Sequence, residues 1–135
     1  MSFLIEGFTA GDDLQIERDI PGVDPADPIV KAWLTIKAKL SDADPGALQK
    51  IITPAAVANV GQITLDGAES NGDGTATCVF QLTGAQTAAL GTAIRYYYDI
   101  QAKSNLGKIY TSQDPETGEV VGRLQLLKGV TDATS

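Results

Sequence analysis

The second half of the chain contains the stretch that decides the fold, Thr75-Ala-Thr-Cys-Val-Phe-Gln-Leu82. Every second residue of this stretch is apolar, namely Ala76, Cys78, Phe80 and Leu82. A strand points successive side chains to opposite faces, so a period of two places all four on one face. The stretch therefore predicts a β-strand with one face in a hydrophobic core and the other in solvent.

Two further segments alternate in the same way, residues 30–38 and residues 94–102. The first predicts an apolar face that includes Val30, and the second predicts one that begins at Ile94. A helix over residues 31–40 is the competing interpretation, which we reject because the alternation is longer and more regular. Three separate segments with one period favour a protein built of strands.

Weaker strand signals fill the rest of the chain. They fall at residues 14–20, 62–65, 108–112 and 119–128. Arg18 interrupts the apolar side of the first. The last two flank Asp114-Pro-Glu-Thr-Gly118, whose proline and glycine favour a turn, so they predict a hairpin. The spacing in Thr83-Gly-Ala-Gln86 is that of a capping box and predicts a short helix up to Leu90.

Together these segments predict an all-β protein, an immunoglobulin-like antiparallel β-sandwich of seven to nine strands with one or two short helical turns. Short strands at roughly ten-residue spacing are typical of such a sandwich. The pattern lacks the long helical crossovers that a parallel sheet requires. We expect a single domain over residues 1–135, with a docking arm at residues 1–9 and a polar tail at residues 131–135.

The composition excludes several classes of function. The chain has 135 residues, a net charge of -7 and no histidine. Histidine-based acid–base catalysis, Ser-His or Cys-His nucleophiles and histidine-ligated zinc are therefore excluded. The acidic charge disfavours nucleic acid and anionic membrane surfaces as partners, and no apolar stretch is long enough for a membrane span. The single cysteine, Cys78, excludes an internal disulfide.

No group of residues in the sequence predicts a catalytic site. Cys78 lies on an apolar face and is interpreted as a small buried hydrophobe. Acidic residues gather in segments such as 12–13 and 42–44, where solvated turns are favoured over a calcium site because the EF-hand spacing does not occur. A glycosidase carboxylate pair needs a cleft lined with aromatic rings, and the chain has few aromatic residues. We expect no enzyme activity, no cofactor and no metal.

Two aromatic residues are candidates for partner binding. The alternation places Trp33 and Tyr97 on solvent faces, whereas Tyr96 and Tyr98 point toward the core. An exposed Trp or Tyr anchors protein partners or stacks on a sugar ring. The alternative for both residues is that aromatic side chains are simply common in strands.

The N-terminal segment is a second candidate. Its apolar residues are Phe3, Leu4, Ile5 and Phe8. Antiparallel sheets have edges that a neighbouring strand or arm can extend. We therefore expect residues 1–9 to dock on a neighbouring subunit.

A series of motifs resembles a known family. In chain order they are Gly11-Asp-Asp-Leu14, Ala32-Trp-Leu-Thr-Ile-Lys37, Asp42-x-Asp44, Gln49-Lys50-x-Ile52-Thr53, Gly61-Gln-Ile63, residues 76–82, Thr83-x-x-Gln86-Thr87-x-x-Leu90 and Tyr96-x-Tyr98-Asp99-Ile100-Gln101. Over roughly residues 11–128, the chain resembles the immunoglobulin-like module of tailed-bacteriophage baseplate upper proteins and related small phage structural proteins. In that group the helical turn before the Tyr-x-Tyr-Asp strand forms a corner between the two sheets.

The resemblance implies a non-catalytic virion structural protein, made in the host bacterial cytoplasm. It implies a place in the tail or baseplate, as a fibre adaptor, or as a capsid-associated accessory protein. The implied partners are other phage structural proteins, with the chain itself present as a homo-oligomer. The alternative function is a carbohydrate- or cell-surface-binding module that uses Trp33 or Tyr97.

Overall fold

A computed structural model of the protein describes residues 4–24, 26–44, 46–66, 74–114 and 117–128. These residues form nine strands and one short helix. In chain order they are β1 (Leu4–Thr9), β2 (Leu14–Val23), β3 (Ile29–Lys37), β4 (Leu48–Ile52), β5 (Gly61–Asp66), β6 (Gly74–Leu82), α1 (Gly84–Leu90), β7 (Tyr96–Ser104), β8 (Ile109–Thr111) and β9 (Gly122–Leu127). The all-β prediction is confirmed.

The strands form two sheets that share one hydrophobic core. The large sheet has the order β1-β9-β7-β3-β4, with β8 also paired to β7, and the small sheet has the order β2-β6-β5. This is the immunoglobulin-like arrangement, in which β3, β7 and β9 take the places of strands C, F and G, and β2, β6 and β5 those of B, E and D. One pair departs from the predicted antiparallel pattern, because β1 runs parallel to β9 and makes the large sheet mixed.

Alternation along β6 and β7 places four residues of each strand in the core. Ala76, Cys78, Phe80 and Leu82 on β6 are all at most 1% exposed, as the opening stretch predicts. The inward residues of β7 are also buried, at most 5% exposed, and are Tyr96, Tyr98, Ile100 and Ala102. Burying a large apolar side chain stabilises the fold by about 1.5–3 kcal/mol, so these two strands supply a major part of the folding energy.

Two predicted core positions are wrong. The pairing of β3 with β7 shifts register between Ile29 and Lys31, so Ile29 is fully buried and Val30 is 37% exposed. A bulge of this kind moves a side chain to the other face of the sheet. Ile94 is 40% exposed because β7 begins only at Tyr96.

The predicted hairpin around residues 114–118 is also wrong. Both β8 and β9 pair with β7, at residues 101–103 and 96–98 respectively. The nine-residue β7 is long enough to pair with two short strands along the same edge. The segment between them still turns where the sequence predicts a turn, because Asp114 N–H donates to Glu119 O and Gly118 N–H donates to Asp114 O, both at 2.8 Å.

Helix α1 forms the corner between the sheets that the resemblance implies. It follows β6 of the small sheet and precedes β7 of the large sheet. Its predicted capping box is present, since Gln86 N–H donates to Thr83 Oγ1 (3.3 Å) and Thr83 N–H donates to Gln86 Oε1 (2.9 Å). The buried Tyr96 hydroxyl donates to Leu90 O at 2.6 Å, which is the tyrosine corner of immunoglobulin-like folds.

The loop between β1 and β2 packs against this corner. Gly84 N–H donates to Asp13 Oδ1 (2.7 Å), and the fully buried Thr87 hydroxyl donates to Asp12 O (2.7 Å) and accepts from Gly11 N–H (3.0 Å). A Cβ atom on Gly84 would lie 2.4 Å from Gly11 O, so only glycine fits there. Two motifs that are separated by some seventy residues therefore form one hydrogen-bonded unit.

A polar contact crosses the sandwich between β2 and β7. Arg18 lies on the inward side of β2, where its Nη2 donates to Tyr98 Oη at 2.9 Å and its Nη1 donates to Glu17 O at 2.8 Å. Burial raises the pKa of the Tyr98 hydroxyl, and the Arg18 guanidinium partly opposes that shift. In antibody domains a disulfide joins the corresponding strands B and F. The Arg18–Tyr98 hydrogen bond links the same two strands here.

The two adjacent tyrosines of β7 provide a test of the corner. We expect Tyr96→Phe to lower the free energy of unfolding by about 1–2 kcal/mol, because the buried Leu90 carbonyl loses its donor. Tyr97→Phe removes the same hydroxyl from the outer side of the strand and should change stability by less than about 0.5 kcal/mol. Urea denaturation of both variants measures the difference, and equal effects would contradict a stabilising role for the corner.

Candidate functional site

The outer face of the large sheet carries the candidate site. We use the term outer face for the side chains that point away from the core on β4, β3, β7 and β9. Cross-strand pairing arranges them in three rows, which are Ile51–Trp33–Gln101, Gln49–Thr35–Asp99 and Lys37–Tyr97–Arg123. Side chains paired across strands lie about 5 Å apart, so neighbours within a row are in contact. Long side chains in adjacent rows reach each other along the diagonal, over about 7–8 Å.

A cavity of about 440 Å³ lies on this outer face. Its lining includes Trp33 and Tyr97, which the sequence singles out separately, together with Thr35, Asp99 and Gln101. The antiparallel pairing of β3 with β7 brings these residues together from distant parts of the chain. We refer to this feature as the outer-face cavity.

Both aromatic rings of the cavity are in contact with a cation. Arg123 Cζ lies 3.9 Å from the centroid of the Tyr97 ring, and Lys31 Nζ lies 5.2 Å from the centroid of the Trp33 ring. Such cation–π contacts contribute about 0.5–1 kcal/mol at exposed positions. Each of the two rings therefore has a cation beside it at the wall of the cavity.

Several hydrogen-bond donors of the lining are used within the protein. Gln49 Nε2 donates to Thr35 Oγ1 (3.0 Å), Gln101 Nε2 donates to Thr111 Oγ1 (3.4 Å), and the Lys37 ammonium forms an ion pair. Its partner is Asp44, at 2.8 Å. Each of the two glutamines keeps its side-chain carbonyl oxygen as an acceptor and a second amide N–H as a donor, so the cavity offers both to a ligand.

Asp99 is the central acceptor of the cavity. It is paired with Thr35 across the strands, and the described part of the chain gives its carboxylate no hydrogen bond or ion pair. Burial raises its pKa, Lys37 lowers it by attraction, and Asp44 raises it by repulsion. Burial removes water from this carboxylate, and no protein donor among the described residues replaces that water. Hydrogen bonds from a ligand would therefore stabilise the carboxylate.

The raised pKa of Asp99 predicts a pH-dependent effect on stability. The ionised form is disfavoured in the folded state, so Asp99→Asn should raise the urea midpoint at pH 7. The gain should shrink as the pH falls and vanish below about pH 4, where the unfolded carboxyl is protonated as well. Glu17→Gln, an exposed carboxylate on β2, is the control and should change the midpoint little. A gain that is independent of pH would contradict this account.

A second and larger cavity, of about 640 Å³, lies between β2 and β8. Its lining includes Arg18, Asp19 and Ser112, but their polar groups serve the fold. The Arg18 guanidinium binds Tyr98, and the Ser112 hydroxyl donates to Asp19 O at 3.3 Å. Side chains thus cover two carbonyl groups at the edge of β2, those of Glu17 and Asp19. The smaller outer-face cavity is therefore the better candidate.

The predicted docking arm is partly corrected by the structure. Leu4–Thr9 is strand β1 of the chain's own large sheet, and Ile5 is only 7% exposed in the core, so Ile5 is not available to a partner. Leu4 is half-buried, and Phe8 is 45% exposed. Phe3 lies outside the described residues. The sequence missed this strand because the residue pairs of β1 shift register between Ile5 and Phe8.

Cys78 occupies the centre of the small sheet and is fully buried. Burial, assisted by the negative charge of Asp19, raises the pKa of its thiol to about 12. The thiol therefore stays protonated in the folded protein at physiological pH, whereas nucleophilic and metal-binding cysteines act as thiolates. The interpretation of Cys78 as a core residue agrees with this environment.

Thiol labelling provides a test of the Cys78 environment. We expect no reaction of the folded chain with an alkylating reagent at pH 8 and complete reaction in urea. An unfolded cysteine titrates near pH 8.5, so the contribution of this group to stability should fall as the pH rises from there toward 12. Rapid labelling of the folded chain would show that the small sheet opens readily.

The described residues also bear on metal binding and on membrane insertion. Across the residues that the structure describes, no three His, Cys, Asp or Glu side chains come together as a metal site. The same residues include no helix that is long and apolar enough to cross a bilayer.

Comparison of the chain with protein-family models, with curated proteins and with solved structures gives no match. The class of the protein therefore follows from its own geometry. It is a β-sandwich with an immunoglobulin-like strand order and a cavity lined by aromatic and polar side chains on the outer face of its large sheet.

Proposed function

We propose that the chain is a non-catalytic structural protein of a bacteriophage virion. In this role it joins neighbouring subunits in the tail or baseplate, as a fibre adaptor, or on the capsid. Its partners are other phage structural proteins, and symmetric particles contain it in several copies.

The observation that carries the proposal is the way in which the resemblance motifs meet in space. The Gly11-Asp-Asp motif, the Thr83-x-x-Gln86 capping box and the Tyr96 hydroxyl all lie at the corner around α1. These three motifs form one hydrogen-bonded corner between the sheets, which is the arrangement that the resemblance implies.

An exposed sheet edge supports the role in subunit contacts. β1 is the edge strand of the large sheet, paired only to β9 within the described residues. Phe8 is 45% exposed there, and Leu127, one register step along the β1–β9 pair, is 48% exposed. We call these two side chains the edge patch. Exposed apolar groups beside an open strand edge suit strand addition by a neighbouring subunit.

Particle composition tests the proposal directly. Phage particles produced by the strain that encodes the chain are purified through two density gradients and analysed by mass spectrometry. The chain is expected at a fixed ratio to a major coat or tail protein, equal to a small multiple of the particle symmetry. Its presence in infected cells but absence from purified particles would overturn the proposal.

The edge patch gives a prediction within the same system. We expect Phe8→Asp to reduce incorporation into particles by roughly tenfold, which corresponds to the loss of an anchor of about 1.4 kcal/mol. Leu106→Asp is the matched control, because Leu106 is 80% exposed in the loop between β7 and β8. Circular dichroism should show both variants folded. Equal incorporation of the two would place the contact elsewhere.

A further inference from the structure

We propose that the outer-face cavity binds a neutral hexopyranose residue of a surface glycan. This binding site goes beyond the structural role and does not depend on it, because a free-standing module with the same cavity would bind the same ligand. The size of the cavity, its aromatic rings, its polar lining residues and its position on paired strands support this proposal.

The size of the cavity suits a small ligand. Its volume of about 440 Å³ lies in the lower part of the range for small-molecule sites, which is roughly 300–1,000 Å³. One or two sugar rings fit this space, whereas a helix or strand of a partner needs a longer groove. Aromatic wall residues with a few convergent polar groups are the general composition of such sites.

The aromatic and the polar residues that line the cavity match the two kinds of surface on a pyranose. One face of a pyranose ring presents C–H groups, which pack on an aromatic ring such as Trp33 or Tyr97. The hydroxyl groups around the ring need hydrogen-bond partners. Asp99 and the side-chain oxygens of Gln49 and Gln101 offer acceptors for them.

Asp99 makes the largest contribution to the expected binding. Its carboxylate is half-buried and lacks donors among the described residues. Hydroxyl groups of a ligand would supply the hydrogen bonds that the carboxylate lost when burial removed water. Hydrogen bonds to an ionised acceptor are about twice as strong as those between neutral groups. Two adjacent hydroxyls can donate to the two carboxylate oxygens.

The charges around the cavity favour a neutral ligand. The carboxylate of Asp99 at the centre repels phosphate and acidic sugars. Lys31 and Arg123, which contact the two aromatic rings, repel amines and guanidinium groups that approach those rings. An uncharged polyol is repelled neither by the Asp99 carboxylate nor by the two cations.

The cavity is largely formed before any ligand binds. Its aromatic and polar lining residues lie on the paired strands β3, β4 and β7, and each of the two rings contacts a cation. A rigid site loses little conformational entropy on binding. Affinity for a single sugar is still expected to be weak, with several copies in an oligomer providing avidity.

The single tryptophan gives a direct readout, because Trp33 is the only one in the chain and lines the cavity. The intact chain is titrated with neutral hexoses, N-acetylhexosamines and their oligomers, and also with glucuronic acid and an arginine peptide. We expect a saturable change in Trp33 emission with at least one neutral sugar and none with the acid or the peptide. A response to the peptide alone would overturn the proposal in favour of a protein partner.

Matched variants locate the site. We expect Asp99→Asn to weaken the binding of the responding sugar by roughly tenfold, which corresponds to about 1.4 kcal/mol. Glu17→Gln, on the small sheet, should bind as the wild type does. Asp99→Asn is expected to be at least as stable as the wild type, so lost binding cannot reflect unfolding.

Two outcomes of these titrations overturn the proposal. One is the absence of a saturable response to every neutral sugar at millimolar concentrations, and the other is unchanged affinity in Asp99→Asn. Neither outcome bears on the presence of the chain in particles, which mass spectrometry decides separately.

Discussion

The hydrogen bond from Arg18 to Tyr98 constrains the rest of the structure. A guanidinium on the inward side of a strand is costly unless its donors are used, and Arg18 uses them on Tyr98 and on the Glu17 carbonyl. Because Tyr98 must point inward to meet Arg18, its neighbours Tyr97 and Asp99 must point outward. The same alternation along β7 therefore supplies both the inner contact with Arg18 and two residues of the outer-face cavity.

Strand periodicity makes the core predictable, and the exceptions have local causes. β6 follows its pattern throughout, whereas the bulge at Val30 depends on how β3 pairs with β7, which is not encoded within β3 alone. The pairing of both β8 and β9 along the same edge of β7 depends on the assembled sheet and not on the sequence of any one strand. Arg18 interrupts the apolar pattern of β2 because it is the residue that bonds to Tyr98 of the opposite sheet.

The candidate site was predictable only in part. Alternation indicates that Trp33 and Tyr97 face solvent, but their common cavity depends on pairing between strands some sixty residues apart. The role of Asp99 depends on its half-buried position between Thr35 and Lys37, which no spacing in the sequence reveals. The raised pKa of Asp99 predicts that its ionised form costs stability at neutral pH, so stability alone does not explain a carboxylate at this position.

The parallel alignment of β1 and β9 has a mechanical consequence. Leu4 is aligned with Arg123 and Thr9 with Leu127, so the chain enters β1 at one end of the sandwich and leaves β9 at the opposite end. A pulling force applied between these two points acts along the strands and loads their hydrogen bonds together, in shear. Antiparallel neighbours pulled from one end would instead unzip bond by bond. The domain is therefore arranged to transmit tension along its long axis without opening its sheets.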